Sequence, residues 1–243
     1  MKLISVKNRS EAGKCAAKMI IDLIAKKTNA TLGLATGSSP ETTYAELTDA
    51  YERGEVSFSS VSTVNLDEYV GLCGSHKQSY RYFMEEKLFS RVDIKSENTH
   101  IPNGMANDLT AECERYNEVI RSLAPIDIQL LGIGHNGHIG FNEPSDFFFE
   151  NTHVVDLSTS TIEANSRFFP TESDVPRRAI TMGIGQIMSA KSIILLAFGE
   201  EKSAILRAAL TGEITPYIPA SVLQHHPNLT LIADTHALAK MQR

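Results

Sequence analysis

Four glycines, two histidines, two asparagines and a glutamate fall within the run Gly132-Ile133-Gly134-His135-Asn136-Gly137-His138-Ile139-Gly140-Phe141-Asn142-Glu143-Pro144. So many glycines directly after an apolar stretch indicate backbone in conformations that other residues avoid. His138 and Glu143 suit a proton-shuttling pair, because a carboxylate orients an imidazole and raises its basicity. His135, His138 and Glu143 could instead ligate zinc, although the usual zinc spacing and a third firm ligand are missing. A purely structural glycine turn is the third reading.

Two further clusters carry chemistry. Asn65-Leu66-Asp67-Glu68-Tyr69 ends a buried strand with paired carboxylates. A carboxylate at a strand end can serve as a general base once partial desolvation raises its pKa. Neighbours on an extended chain point opposite ways, so one of the two faces a substrate. The bland alternative is a helix N-cap at Asp67 with Glu68 in solvent.

Thr36-Gly37-Ser38-Ser39-Pro40 follows a strand and opens a helix. Backbone N–H groups and hydroxyls at a helix N-terminus attract an anion. The run is neither a GxGxxG nor a P-loop, so no nucleotide is implied, and an ordinary Ser-capped turn would look the same. Arg167, in Ala164-Asn165-Ser166-Arg167-Phe168-Phe169, could reach a phosphate. Lys202, in Gly199-Glu200-Glu201-Lys202, follows a strand as an anion-binding lysine would.

The elements that must position these residues alternate. Strands are expected at 3–6, 31–35, 61–66, 126–133, 193–198 and 229–233. Helices are expected after a Ser10 N-cap, after Pro40 (with Tyr44, Leu47 and Tyr51 on one face), and over 79–89, 109–123, 182–188 and 202–210. This order predicts an α/β fold with a mostly parallel sheet covered on both faces. The least regular stretch, 144–176, is too long for a passive connection and forms a candidate lid, taken as about 156–180. In such sheets ligands bind beyond the carboxyl ends of strands, where residues 36–39, 67–68 and 135–143 all fall.

The bulk numbers limit the classes of function. With 243 residues, 42% hydrophobic and 21% charged, the chain suits one large domain or two small ones, and nothing in it suggests a division. A net charge of −6 lacks the basic excess that nucleic-acid binding requires, yet a few local cations suffice for one small anion. Cys15, Cys73 and Cys113 form neither a disulfide framework nor a CxxC site, which fits a reducing compartment. The first residues turn polar too soon for a signal peptide, and no apolar run reaches a membrane span. A cytoplasmic protein with no membrane partner is expected.

Taken together, Thr36-Gly37-Ser38-Ser39-Pro40, Asn65-Leu66-Asp67-Glu68-Tyr69-Val70-Gly71-Leu72, the run 131–144 and Asn165-Ser166-Arg167-Phe168-Phe169 resemble the glucosamine-6-phosphate deaminases from Lys2 to about Ala233. The Asn-Gly-His-Ile-Gly-Phe-Asn-Glu-Pro segment is highly specific, whereas the Thr-Gly-Ser-Ser-Pro loop belongs to a wider superfamily. The resemblance implies a single three-layer αβα domain over 1–243 with a doubly wound, Rossmann-like sheet. It implies conversion of glucosamine 6-phosphate to fructose 6-phosphate and ammonia, in the hydrolase class acting on C–N bonds. Asp67 would be the enolisation base. His138, oriented by Glu143 and assisted by Asn136, would open the sugar ring. Gly37, Ser38, Ser39, Arg167 and Lys202 would hold the phosphate, with no metal or organic cofactor.

Two positions depart from the pattern: Asn136 stands where many relatives carry aspartate, and Ser38 where many carry glycine. A His138–Glu143 dyad therefore replaces a three-member charged relay. Some relatives are hexamers activated by N-acetylglucosamine 6-phosphate through basic residues just after the Asn-Glu-Pro motif. Here Ser145 to Val155 offers two acids, one histidine and no Lys or Arg, so no such effector is expected; whether the chain is a monomer or a homo-oligomer is open. Two alternatives fit the residues less well. A 6-phosphogluconolactonase fits Asn142-Glu143-Pro144 less well, and a sugar-phosphate sensor would need a DNA-binding segment for which no residues remain.

Overall fold

The computed structural model describes residues 1–167 and 169–241. Phe168, within the Asn165-to-Phe169 motif, lies outside them.

Seven strands form one parallel sheet: β1 (Lys2–Val6), β2 (Thr31–Leu34), β3 (Ser62–Asn65), β5 (Thr99–His100), β6 (Ile128–Gly132), β9 (Ile193–Ala197) and β10 (Leu229–Asp234). Their spatial order is β1-β10-β9-β6-β2-β3-β5. Among the described residues seven α-helices accompany them: α1 (Arg9–Lys26), α2 (Glu41–Glu52), α3 (Tyr80–Lys87), α4 (Leu109–Leu123), α5 (Thr159–Ser166), α6 (Ile184–Met188) and α7 (Ser203–Thr211).

Strand alternation divides the core into two layers. Ile193, Leu195, Leu229 and Leu231 pack with Tyr116 and Ile120 of α4, Ile187 of α6 and Leu206 of α7. Ile194, Leu196, Leu130 and Ile232 point the other way, onto Ile20 of α1, Leu47 of α2 and Met84 of α3. Helices thus cover both faces of a parallel sheet, the three-layer αβα arrangement expected. Each fully buried Leu or Ile contributes about 1.5–3 kcal/mol relative to an exposed position.

Helix starts follow local chemistry. Asn8, not Ser10, caps α1, because its Oδ1 accepts from Glu11 N at 3.0 Å. Ser79 and Asp108 cap α3 and α4 in the same way. Helix α6 starts at Ile184 rather than residue 182, because a strand runs to Thr181 and Gly183 is the helix N-cap.

That strand belongs to a second sheet that the alternation pattern did not reveal. β4 (Asp67–Tyr69), β7 (His153–Asp156) and β8 (Arg178–Thr181) form an antiparallel trio in the order β4-β8-β7. Leu66 is the junction. Its N–H donates to Leu34 O in the main sheet (3.1 Å), and its carbonyl accepts from Met182 N beside the small sheet (2.7 Å). The least regular stretch, 144–176, therefore holds β7 and α5 among its described residues, and β8 follows it. An apolar cluster of Tyr69, Phe141, Leu157, Ile162 and Val175 anchors them.

β2 and β6 are neighbours, but β3 lies to one side of them and β9 to the other. The order reverses between them, and at such a switch point the loops diverge and leave a crevice. The loops after β2, β3 and β6 are the three clusters picked out from the sequence.

Candidate active site

A cavity of about 210 Å³ opens at this crevice. It is lined by Gly37, Ser38, Ser39, Asp67, Asn136, His138, Arg167 and Lys202, so eight of the nine expected site residues meet there. The ninth, Glu143, stands behind His138.

Asp67 and Glu68 separate as strand geometry requires. Asp67 faces the cavity and is 5% exposed. It caps no helix. Burial, with the Glu68 charge beside it, pushes its carboxyl up to about 8. Glu68 turns away: its Oε1 accepts from Tyr69 N and Tyr80 N, and its Oε2 from Arg81 N, all at 2.9 Å. Burial raises Glu68 to about 7 against these bonds, and its place is to fix the start of α3 on β4. That fixation brings Tyr80 to the cavity wall.

The glycine-rich loop sets the second group. A Cβ on Gly134 would lie 2.3 Å from His138 Cε1 and Nε2, so no other residue lets the ring occupy this place. His138 Nδ1 lies 3.7 Å from Glu143 Oε2, within ion-pair range but beyond a hydrogen bond. Glu143 Oε2 accepts from Asn136 Nδ2 at 2.7 Å, and its Oε1 accepts from the Thr161 hydroxyl. Asn136 Oδ1 in turn accepts from His138 N at 3.1 Å, which closes the loop on itself. Burial would raise the Glu143 carboxyl, but the His138 ring and the bonds from Thr161 and Asn136 prevail and hold it at about 2. Among the described residues no three His, Cys, Asp or Glu side chains converge to hold a metal, because Glu143 lies behind His138 rather than beside His135.

The opposite end of the cavity is cationic. Lys202 precedes α7, and burial, helped by the positive charges of Arg167 and Arg9, lowers it to about 8 against the pull of Glu201. Burial and the same lysine lower the nearby His135. Gly37 has φ +85° and nothing within 4 Å of the place a Cβ would take, so its backbone is open to close approach. Among the described residues no side chain caps α2, so its first N–H groups are not claimed by a Ser cap. An anion at this end would meet N–H groups, hydroxyls and two cations together.

Sequence reasoning missed Tyr80, Thr161, Asn165 and Arg9. Thr161 and Asn165 carry a usable signal, since they lie one turn apart on the helix that ends at Arg167. Arg9, whose Nη1 donates to Ser38 O at 3.2 Å, gave none.

A family described as glucosamine-6-phosphate isomerases/6-phosphogluconolactonase matches residues 8–232. The glucosamine-6-phosphate deaminase of Lachnoclostridium phytofermentans is 53% identical over 232 residues, 96% of this chain and 98% of that protein. The solved structure of a monomeric glucosamine-6-phosphate deaminase is 44% identical, with a TM-score of 0.96 over 99% of this chain and 100% of that one. The 6-phosphogluconolactonase of Trypanosoma brucei matches with a TM-score of 0.79 over 99% of this chain and 98% of that one. At 19% identity the last likeness is one of fold alone.

Proposed function

The chain belongs to the family of glucosamine-6-phosphate isomerases and 6-phosphogluconolactonases, and within it we propose that this protein is a glucosamine-6-phosphate deaminase of the cytoplasm. The observation that carries the reading is one cavity holding a buried carboxyl, an imidazole backed by a charged carboxylate, and a cationic end. No described helix is long and apolar enough to cross a membrane.

The 6-phosphate rests on Gly37, Ser38 and Ser39, with Arg167 and Lys202 neutralising its charge. Binding it raises Lys202 back toward its ordinary value, because the dianion favours the ammonium. The sugar then lies along the cavity toward His138 and Asp67.

Glu143 keeps the proton on His138 Nδ1, so Nε2 is free to take the proton of the anomeric hydroxyl and deliver it to the ring oxygen. The C1–O5 bond breaks and the open-chain aldehyde forms. The C2 ammonium of the sugar, placed beside Asp67, draws that carboxyl into its charged form. Asp67 removes the C2 proton while the substrate ammonium passes one of its protons to the C1 carbonyl oxygen, giving a neutral cis-enolamine. The proton returns at C1, the nitrogen becomes an imine at C2, and water displaces it as ammonia to leave the ketose. Residues 156–180 serve as a lid on this single domain, with α5 bringing Arg167 over the phosphate.

The test is incubation with glucosamine 6-phosphate, following ammonia and fructose 6-phosphate together. Equal amounts of both are expected. Release of neither, with hydrolysis of 6-phosphogluconolactone instead, would overturn the reading in favour of the other branch of the family.

A further inference from the structure

Glu143 is held from two separate parts of the chain. Asn136, four residues beyond β6, donates to Oε2, whereas Thr161, on α5, donates to Oε1. The direction of the second bond is fixed. An ionised carboxylate has no proton to give, so the Thr161 hydroxyl must be the donor. Ser158 Oγ supplies a proton to Thr161 Oγ1 at 3.0 Å and accepts from Thr161 N at 3.3 Å as the cap of α5. Thr161 is 4% exposed, so water does not compete for this bond.

The same helix reaches the other end of the cavity. Ser160 and Asn165 line it, and Arg167 follows the last turn. One rigid element of eight residues therefore touches both the cationic end and the carboxylate behind His138. The gap it controls is small. At 3.7 Å, His138 Nδ1 and Glu143 Oε2 stand about half an ångström beyond hydrogen-bonding range. A sub-ångström displacement of Glu143 decides whether the imidazole is oriented.

We propose that Thr161 is a positioning residue that couples the seating of α5 on an anion to the orientation of His138, acting through Glu143 rather than on the reacting atoms. The proposal rests on the deaminase reading only for its kinetic consequence. Its structural consequence holds for any anion bound at the Arg167 end: when α5 seats, Thr161 draws Glu143 into register and His138 Nδ1 gains its bond.

The experiment compares Thr161→Val, which keeps the shape and loses the hydroxyl, with Thr161→Ser, which keeps the hydroxyl. Inorganic phosphate is titrated into each intact protein while the His138 ring nitrogens are followed by NMR. Phosphate is expected to shift them in the unaltered protein and in the serine variant. In the valine variant it should bind yet leave them unmoved. On glucosamine 6-phosphate the valine variant should lose roughly 10- to 100-fold in kcat, the size expected for one hydrogen bond to a charged group, with KM nearly unchanged and serine restoring the rate. A valine variant whose His138 responds to phosphate as the unaltered protein does would overturn the coupling, as would a serine variant as inert as valine. Absence of ammonia release from the unaltered protein would instead count against the deaminase reading, and the NMR comparison would still decide the role of Thr161.

Discussion

Replacing Asp67 with asparagine should make the protein more stable and nearly inactive at the same time. The amide has the shape of the carboxyl but neither its charge nor its basicity. Burial and Glu68 lift Asp67 from 3.8 to about 8, so the folded state holds a proton that the unfolded chain releases near pH 4. For an acid raised in this way the native state binds more protons across that window, and stability falls as pH rises through it. At about 1.4 kcal/mol per pH unit, Asp67 costs on the order of 4 kcal/mol at pH 7. Water reaching the cavity reduces this, so a gain of about 2–4 kcal/mol is expected for Asp67→Asn. The gain should be small near pH 4 and full above pH 8. Glu68 is present in both proteins, so most of its own slope cancels in the difference. Loss of the base should lower kcat by roughly 10²- to 10⁴-fold. Urea unfolding at several pH values and ammonia release measure the two effects. A stability difference that does not change with pH would refute the buried-charge argument, and turnover within a few-fold of normal would refute the assignment of the base.

The other expectations are more compact. His138→Gln should lose far more activity on the ring-closed sugar than on an analogue fixed in the open form; equal losses would place His138 in the proton shift itself. Lys202→Met should raise KM for glucosamine 6-phosphate by roughly 10- to 100-fold while leaving the affinity for unphosphorylated glucosamine unchanged, and a parallel change in both would remove Lys202 from the phosphate site. Rate against substrate should be hyperbolic with and without N-acetylglucosamine 6-phosphate. Asp146 is bonded to Tyr217 Oη at 2.6 Å, His153 is stacked 3.8 Å from Phe149, and the stretch between them holds no Lys or Arg, so a sigmoidal curve made hyperbolic by that compound would refute this point.

Most of the main sheet was legible because its central strands are buried on both faces and read as short apolar runs. The three loops were legible because glycines, hydroxyls and carboxylates cluster where those runs stop. The small antiparallel sheet was hidden for a physical reason. β7 is the half-buried stretch His153–Asp156 and β4 is only Asp-Glu-Tyr, so neither shows a long apolar run. β7 was absorbed into the least regular stretch and β4 into a strand end. β5, two residues long, offered no pattern at all. The relation of Glu143 to His138 was readable from five residues of spacing, but Thr161, eighteen residues away, meets Glu143 only because α5 folds back over the loop.

The two carboxyls of this site are driven in opposite directions, and under the deaminase reading we propose, that difference suits them to different tasks. Glu143 is held at about 2 by three neighbours that all favour its charge. Such a carboxylate holds a proton too weakly to take one from carbon, so its value lies in being a fixed negative charge beside an imidazole. Among the described residues Asp67 has no comparable donor set, and burial beside Glu68 leaves it at about 8. It holds a proton firmly enough to accept one, provided something brings it to the charged state first. A cationic nitrogen on the substrate supplies that condition only when the sugar is in place. The pair thus follows a general rule, that environments pushing two acids apart assign them different tasks. The split begins in the backbone: alternation along β4 sends Glu68 to the start of α3 and Asp67 to the cavity, one residue apart.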